Sequence, residues 1–433
     1  MRRVLAALAL LLGGCAYPYT PPALAPITAP ASVAAVPTAT PTRAATAPVT
    51  ILVSIDGFRP DYLDRGVTPR PAQLARTGVS ASMRPSFPTK TFPNHWTLVT
   101  GLVPDHHGIV GNAMEDPARA TAPFTLTNDD PFWWNAAEPI WVAAEKAGIR
   151  TATEFWPGAS IAWGSTAAKD SHGIVPGGTR PRDWADFNAN VDGAQRVDSV
   201  IDWLRRPSAT RPQFVTLYFD TVDSMGHDEG PDGPAVTAAL ADVDRSVGRL
   251  VDGIAALGLT ANLVIVADHG MAPTSSTRVI ALDTIVDPAD FHTVETGPYA
   301  TLVPVPGREA ALAAALRKPH AHMTCWPKAK IPARLRYGSN PRVPPYLCLA
   351  EDGWLIWKSA PAKPFTGGNH GYDNAQPDMA ALFIANGPAF AAGRRLAPFD
   401  NVDVTPLLRR LIGLPAATGL DGDAAPFDKV LKR

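Results

Sequence analysis

The chain has 433 residues, 46% hydrophobic and 18% charged, enough apolar material for one large α/β domain or two smaller ones. Lys and Arg number 39 against 40 Asp and Glu, a formal net charge of −1, which excludes a protein that holds nucleic acid through a strongly basic face. A small anionic molecule held in a local site is compatible with that balance.

The opening MRRVLAALALLLGGC runs from Arg2 and Arg3 through an apolar stretch at 4–12 to small residues. This is the layout of a secretory signal, too short for a permanent membrane helix. LGGC at 12–15 matches the bacterial lipobox pattern, in which the cysteine, here Cys15, becomes a lipidated first residue; an ordinary signal cut near Ala16 is the alternative. Residues 16–48 are rich in Pro, Ala and Thr with Arg43 as their one charge, a composition that buries no core and favours an extended tether. No later stretch is apolar enough to cross a bilayer. The chain therefore reads as an exported, periplasmic protein held to a membrane only by a lipid anchor, with a signal at 1–15, a linker at 16–48 and a catalytic domain at 49–433. Cys325 and Cys348 remain as an even pair in an oxidising compartment. They form either a bridge worth ~3 kcal/mol or two unpaired buried thiols.

From Val49 onward short apolar runs alternate with helical patterns, which predicts an α/β fold, a doubly wound, largely parallel sheet with helices on both faces. VTILVSID ends at Asp56. SFPTKTFPNHWTLVTG (86–101) then places Thr91 at a helix start, with Pro93 in the first turn and Gly101 as the stop. A plain N-cap threonine is the bland account of Thr91. QFVTLYFDTVD ends at Asp223, ANLVIVADHG carries Asp268 and His269, and MAALFIANGP is a late strand. Apolar residues recur at helical spacing over 236–257, and 401–414 reads as a closing amphipathic helix. The segment from about 275 to 365 is irregular and Pro-rich, a possible insertion over the site.

Three apolar runs finish in Asp, and since open parallel sheets bind ligands outside the carboxyl ends of their strands, the three would converge in space. DSMGHDEG sets His227 four residues after Asp223, ADHG joins Asp268 to His269, and GGNHGYDN puts His370 in a glycine-rich loop. With Asp56 these make six ordinary zinc ligands, enough for two ions at three each. A hydroxyl bridging two such ions loses its proton near neutral pH, which gives Thr91 a use as a nucleophile.

SIDGFRPDYL, FPTKTFPNHWTLVTGLVPDHHGIVGN, EFWPGA, DSMGH, ADHGM and NHGYDN, in that order, resemble the nucleotide pyrophosphatase/phosphodiesterase family of the alkaline phosphatase superfamily, from about residue 50 to about 415. The block at 87–112 is the most specific. The resemblance implies an alkaline-phosphatase-like fold and the bare catalytic domain of bacterial members. It also implies a two-zinc site, with Asp223, His227 and His370 on one ion and Asp56, Thr91, Asp268 and His269 on the other. Thr91 would be phosphorylated and then hydrolysed, with Asn112 donating to a phosphate oxygen and Phe92 and Tyr218 sandwiching a base. Lys90 either supports the phosphate or is solvated; His95, His106 and His107 are structural or lie behind the ligands. Expected substrates are small nucleotides, with no nucleic-acid partner and a monomeric chain. The alternatives are a phosphonoacetate hydrolase, a lysophospholipid or glycerophosphodiester phosphodiesterase, and a non-catalytic surface lipoprotein.

Overall fold

A computed structural model describes residues 47–119 and 123–432; the signal and the linker up to residue 46 lie outside the described residues. Strand β1 (Val49–Ile55) is buried along its whole length, as a continuous apolar run in the middle of a parallel sheet must be. It pairs in parallel with β5 (Phe214–Phe219) on one side and β6 (Ala261–Val266) on the other. Outside β5 lie β3 (Thr151–Glu154) and β4 (Asp183–Ala185), both parallel. Beyond β6 the direction reverses. The late strand Ala381–Asn386 runs antiparallel both to β6 and to β2 (Val79–Arg84), and Arg394–Arg395 and Phe399–Asp400 lie parallel to β2. The result is the expected α/β architecture on a mainly parallel nine-stranded sheet.

The predicted helix at 236–257 is Pro234–Ala256, which buries Val236, Leu240, Val243, Val247, Leu250 and Ile254 at helical spacing. Each fully buried side chain of this size is worth ~1.5–3 kcal/mol, so this stripe alone seats the helix. The closing helix is Val404–Ile412, with Leu407, Leu408, Leu411 and Ile412 inward and Arg410 exposed. Among the described residues no helix is long and apolar enough to cross a membrane.

The 275–365 segment is ordered where the sequence reads as irregular. It forms a four-stranded antiparallel sheet in the order Met323–Pro327, Tyr346–Ala350, Tyr299–Pro304, Phe291–Glu295, over a small core that includes Leu302, Leu312, Leu316 and Ile356. Cys325 and Cys348 face each other on neighbouring strands and are disulfide-bonded.

Candidate active site and metal centre

Asp56 follows β1 directly and Asp268 and His269 lie just past β6, so neighbouring central strands deliver them to one place. Asp223 arrives differently from the sequence expectation. β5 stops at Phe219, and Asp223 sits in the first turn of the helix Thr221–Glu229 with His227 one turn later, where residues four apart share a face. His370 follows the strand Thr366–Asn369. A Cβ at Gly367 or Gly368 would stand 2.4 Å from the carbonyl oxygens of His227 and Gly226, so the double glycine is what lets this strand reach the helix.

Each candidate imidazole has its Nδ1 on a backbone carbonyl: His227 on Gly368 at 2.9 Å, His269 on Gly270 at 2.9 Å, and His370 on Thr89 at 2.8 Å. A carbonyl only accepts, so Nδ1 carries the hydrogen and Nε2 keeps its lone pair, the arrangement common to metal-ligating histidines. The Nε2 atoms of His227 and His370 then face each other at 3.1 Å, each 3.5 Å from an Asp223 oxygen. His269 Nε2 lies 3.0 Å from Asp268 Oδ2, 3.3 Å from Asp56 Oδ1 and 3.3 Å from Thr91 Oγ1.

Ligand atoms of Asp56, Asp268 and His269 all lie within 4.8 Å of one another, as do those of Asp223, His269 and His370. Asp56 Oδ1, Asp223 Oδ1 and Asp268 Oδ2 are buried with no hydrogen-bond donor among the described residues. Lone-pair nitrogens and unpartnered carboxylate oxygens turned toward one another repel unless a cation lies between them. The residues therefore fit a metal centre, and the mix of Asp oxygen and His nitrogen suits a borderline divalent ion such as zinc.

Burial, and then the charges of Asp268 and Asp223, push the Asp56 carboxyl well above the usual carboxylate range; burial raises Asp223 too. Burial works against ionised Asp268 and against protonated His269, yet each favours the charged form of the other. Asp268, beside His95 as well, therefore lies well below its ordinary value and His269 above; a cation bound at Nε2 would take the place of that proton. Burial drives His370 well below the usual imidazole range and keeps it neutral, as a ligand must be.

Thr91 opens the helix Thr91–Thr100, which ends at Gly101 in a left-handed conformation (φ 71°), so the predicted start and stop both hold. Asn112 Oδ1 accepts the Phe92 N–H at 3.0 Å, which leaves the amide NH2 of Asn112 as a donor. Lys90 is not solvated: it is 8% exposed, with Nζ 5.9 Å from the Tyr299 ring centroid. Phe92 is half-buried against Phe124 and Trp134.

Tyr218 departs from the expected base-stacking position. It is 7% exposed on β5, its ring packs edge-on against His95, and its hydroxyl donates to Asp56 Oδ2 at 2.7 Å. A ring enclosed by the core and tied to a carboxylate orients that carboxylate and offers no open face to a base. Beside Tyr218 stands an exposed aromatic that the sequence does not single out, Phe187, 51% exposed, with its ring 6.0 Å from Tyr218 and 5.8 Å from Phe155. It stands in a polar loop without periodicity, so no pattern marks it. His95 Nδ1 meets the Thr91 carbonyl at 2.9 Å, and His107 is buried against Thr97 and Pro93; neither joins the metal cluster.

The family model described as type I phosphodiesterase / nucleotide pyrophosphatase matches residues 50–373. Ectonucleotide pyrophosphatase/phosphodiesterase family member 1 of Mus musculus is 36% identical over 404 residues, covering 89% of this chain and 43% of that protein. The chain thus spans less than half the length of that relative. Bis(5'-adenosyl)-triphosphatase enpp4 of Xenopus laevis is 35% identical over 371 residues, 85% of this chain and 78% of the relative. Among solved structures, murine ectonucleotide pyrophosphatase/phosphodiesterase 5, an inactive threonine-to-alanine variant in complex with AMP, matches with a TM-score of 0.82 at 33% identity, over 89% of this chain and 100% of that one. These relatives are animal proteins and carry the family without the bacterial branch that the sequence reading expects. The ordered motifs, the fold and the converging Asp and His side chains thereby have one explanation: the chain belongs to the type I phosphodiesterase / nucleotide pyrophosphatase family.

Proposed function

We propose that this protein is a zinc-dependent hydrolase of nucleotide phosphodiester and pyrophosphate bonds, with two zinc ions per chain and nucleoside 5'-monophosphate as product. The observation that supports it most is the Thr91 hydroxyl, 3.3 Å from the imidazole shared by both clusters and at the positive end of a helix. Asp223, His227 and His370 would hold one ion, and Asp56, Asp268, His269 and Thr91 the other. Zinc bound there supplies the charge that ionises the hydroxyl and offsets the charge on phosphate. Thr91 Oγ attacks phosphorus, an Oγ–P bond forms as the bond to the leaving oxygen breaks, and the Thr91 proton passes to solvent. Water then hydrolyses the phosphothreonine and restores the hydroxyl. Asn112 presents a neutral donor, suited to the single charge of a diester. Phe92 and the exposed Phe187 offer ring faces for a base. The AMP held by the murine relative supports this product class.

A paired assay tests the reading: a chromogenic thymidine 5'-monophosphate ester against the matching phosphate monoester, before and after chelation and zinc return. Preference for the diester, lost on chelation and restored by zinc, is the expected result. Zinc-restored activity on phosphonoacetate or a lysophospholipid but on neither nucleotide would overturn it. For residues 1–48 we propose export and a lipid anchor at Cys15, on the sequence alone; Cys15→Ala should move the protein from membrane to soluble fraction.

A further inference from the structure

The proposed chemistry uses Asn112 and leaves unexplained the acid that lies against its loop. Glu295 ends the strand Phe291–Glu295 of the smaller sheet, far in sequence from every motif of the site. Tyr299 Oη donates to Glu295 Oε2, and the Glu295 N–H donates to Thr301 Oγ1 at 3.2 Å. Burial pushes the Glu295 carboxyl up, and the Lys90 charge, the Tyr299 hydroxyl and the backbone of Ala113 and Asn112 work against that shift. Gly111 makes room for this approach, because a Cβ there would stand 2.7 Å from Glu295 Oε2. Asn112 thus has the Phe92 N–H on its side chain and, at the preceding residue, the Glu295 carboxylate against its backbone. Lys90 is held beside the ring of Tyr299, whose hydroxyl donates to Glu295.

Resting on the activity proposed above, we propose that Glu295 is a positioning residue that acts through Asn112 and Lys90. It pins the Asn112 backbone so that the amide meets the phosphoryl group. It also balances the Lys90 charge, so the site presents a neutral donor and a compensated cation to a singly charged diester. Removing the acid loosens the donor and leaves Lys90 uncompensated on that side, which favours a doubly charged monoester.

Glu295→Ala and Glu295→Gln separate these two effects, because glutamine keeps an acceptor oxygen of the same reach and loses the charge. In Glu295→Ala, diester kcat should fall about 10- to 100-fold, the range typical of residues that orient a functional group, with KM nearly unchanged and zinc per chain intact. In Glu295→Gln, diester kcat should recover in large part while the diester-to-monoester preference stays lowered. A kcat within twofold of wild type in Glu295→Ala, or a fall that only tracks lost zinc, would overturn the proposal. Backbone hydrogen exchange over residues 109–115 gives an arm independent of turnover. It should quicken in Glu295→Ala and not in Glu295→Gln, and equal protection in all three proteins would refute the pin. If wild type lacks zinc-restored diester turnover, the activity reading fails, and the exchange arm still decides whether Glu295 holds the Asn112 loop.

Discussion

The two halves of the candidate centre are built unequally. Asp56, Asp268 and His269 are 0–1% exposed, and each sits on the end of a central strand or just past it. Asp223 and His227 ride on one turn of a short helix, with the His227 side chain 36% exposed, and His370, itself buried, lies just past the short strand Thr366–Asn369. A sheet with paired neighbours on both sides hardly yields, whereas a short helix with an exposed face can move more readily. On the proposed function, the enclosed half would be a preformed cradle, and His227 would mark the side from which ion and substrate exchange.

That contrast can be broken in graded ways. Thr91→Ala acts on the reaction itself: turnover should fall by more than about 10³-fold with metal per chain unchanged, and residual turnover within tenfold would remove Thr91 from the nucleophile role. Asp268→Ala strikes the enclosed half. It should lower metal content to about one ion per chain and abolish turnover, without rescue by excess zinc. His227→Ala strikes the open half, where affinity should drop roughly 10- to 100-fold and excess zinc should restore much of the rate. Equal rescue of these two variants would show that the halves do not differ. Tyr218→Phe, which removes only the donor to Asp56, should weaken zinc binding about tenfold with kcat near wild type at saturating zinc.

The smallest effect concerns stability away from the metals. Burial lowers the His107 pKa from 6.5 to about 3, so the folded protein refuses a proton that the unfolded chain accepts below 6.5. Stability from this residue is therefore complete above pH 6.5 and declines as pH falls toward 3. Denaturant midpoints should drop between pH 6.5 and 4, less steeply in His107→Gln; parallel curves for the two proteins would exclude His107 as the cause.

The sequence alone reveals much of the enclosed half. Apolar runs followed by Asp mark β1 and β6, and Pro93 and Gly101 bracket the helix that Thr91 opens, because those signals are local. Asp223 is legible as a candidate ligand but not as a helix residue, since a strand and a following helix turn share one apolar stretch. Tyr218 is buried where the sequence suggests an open aromatic face, because burial on a strand depends on neighbours far along the chain. The sheet within 275–365 stayed hidden for a related reason. Its strands are short, interrupted by Pro and glycine turns, and acquire meaning only when paired. Glu295 carries no local signal at all, and Gly111 is its one trace, visible only once the carboxylate is seen against it.

The strand Ala381–Asn386, wedged between β2 and β6, also sets an order in time. During synthesis β2 waits for the chain to reach residue 386 before it gains that neighbour, a delay on the order of tens of seconds at ~5–20 residues per second. Until then two apolar strand edges stay unpaired, and an incomplete chain is a substrate for chaperones or for aggregation. His370 emerges only shortly before the closing strand, so the open half of the metal site is also the last to be made.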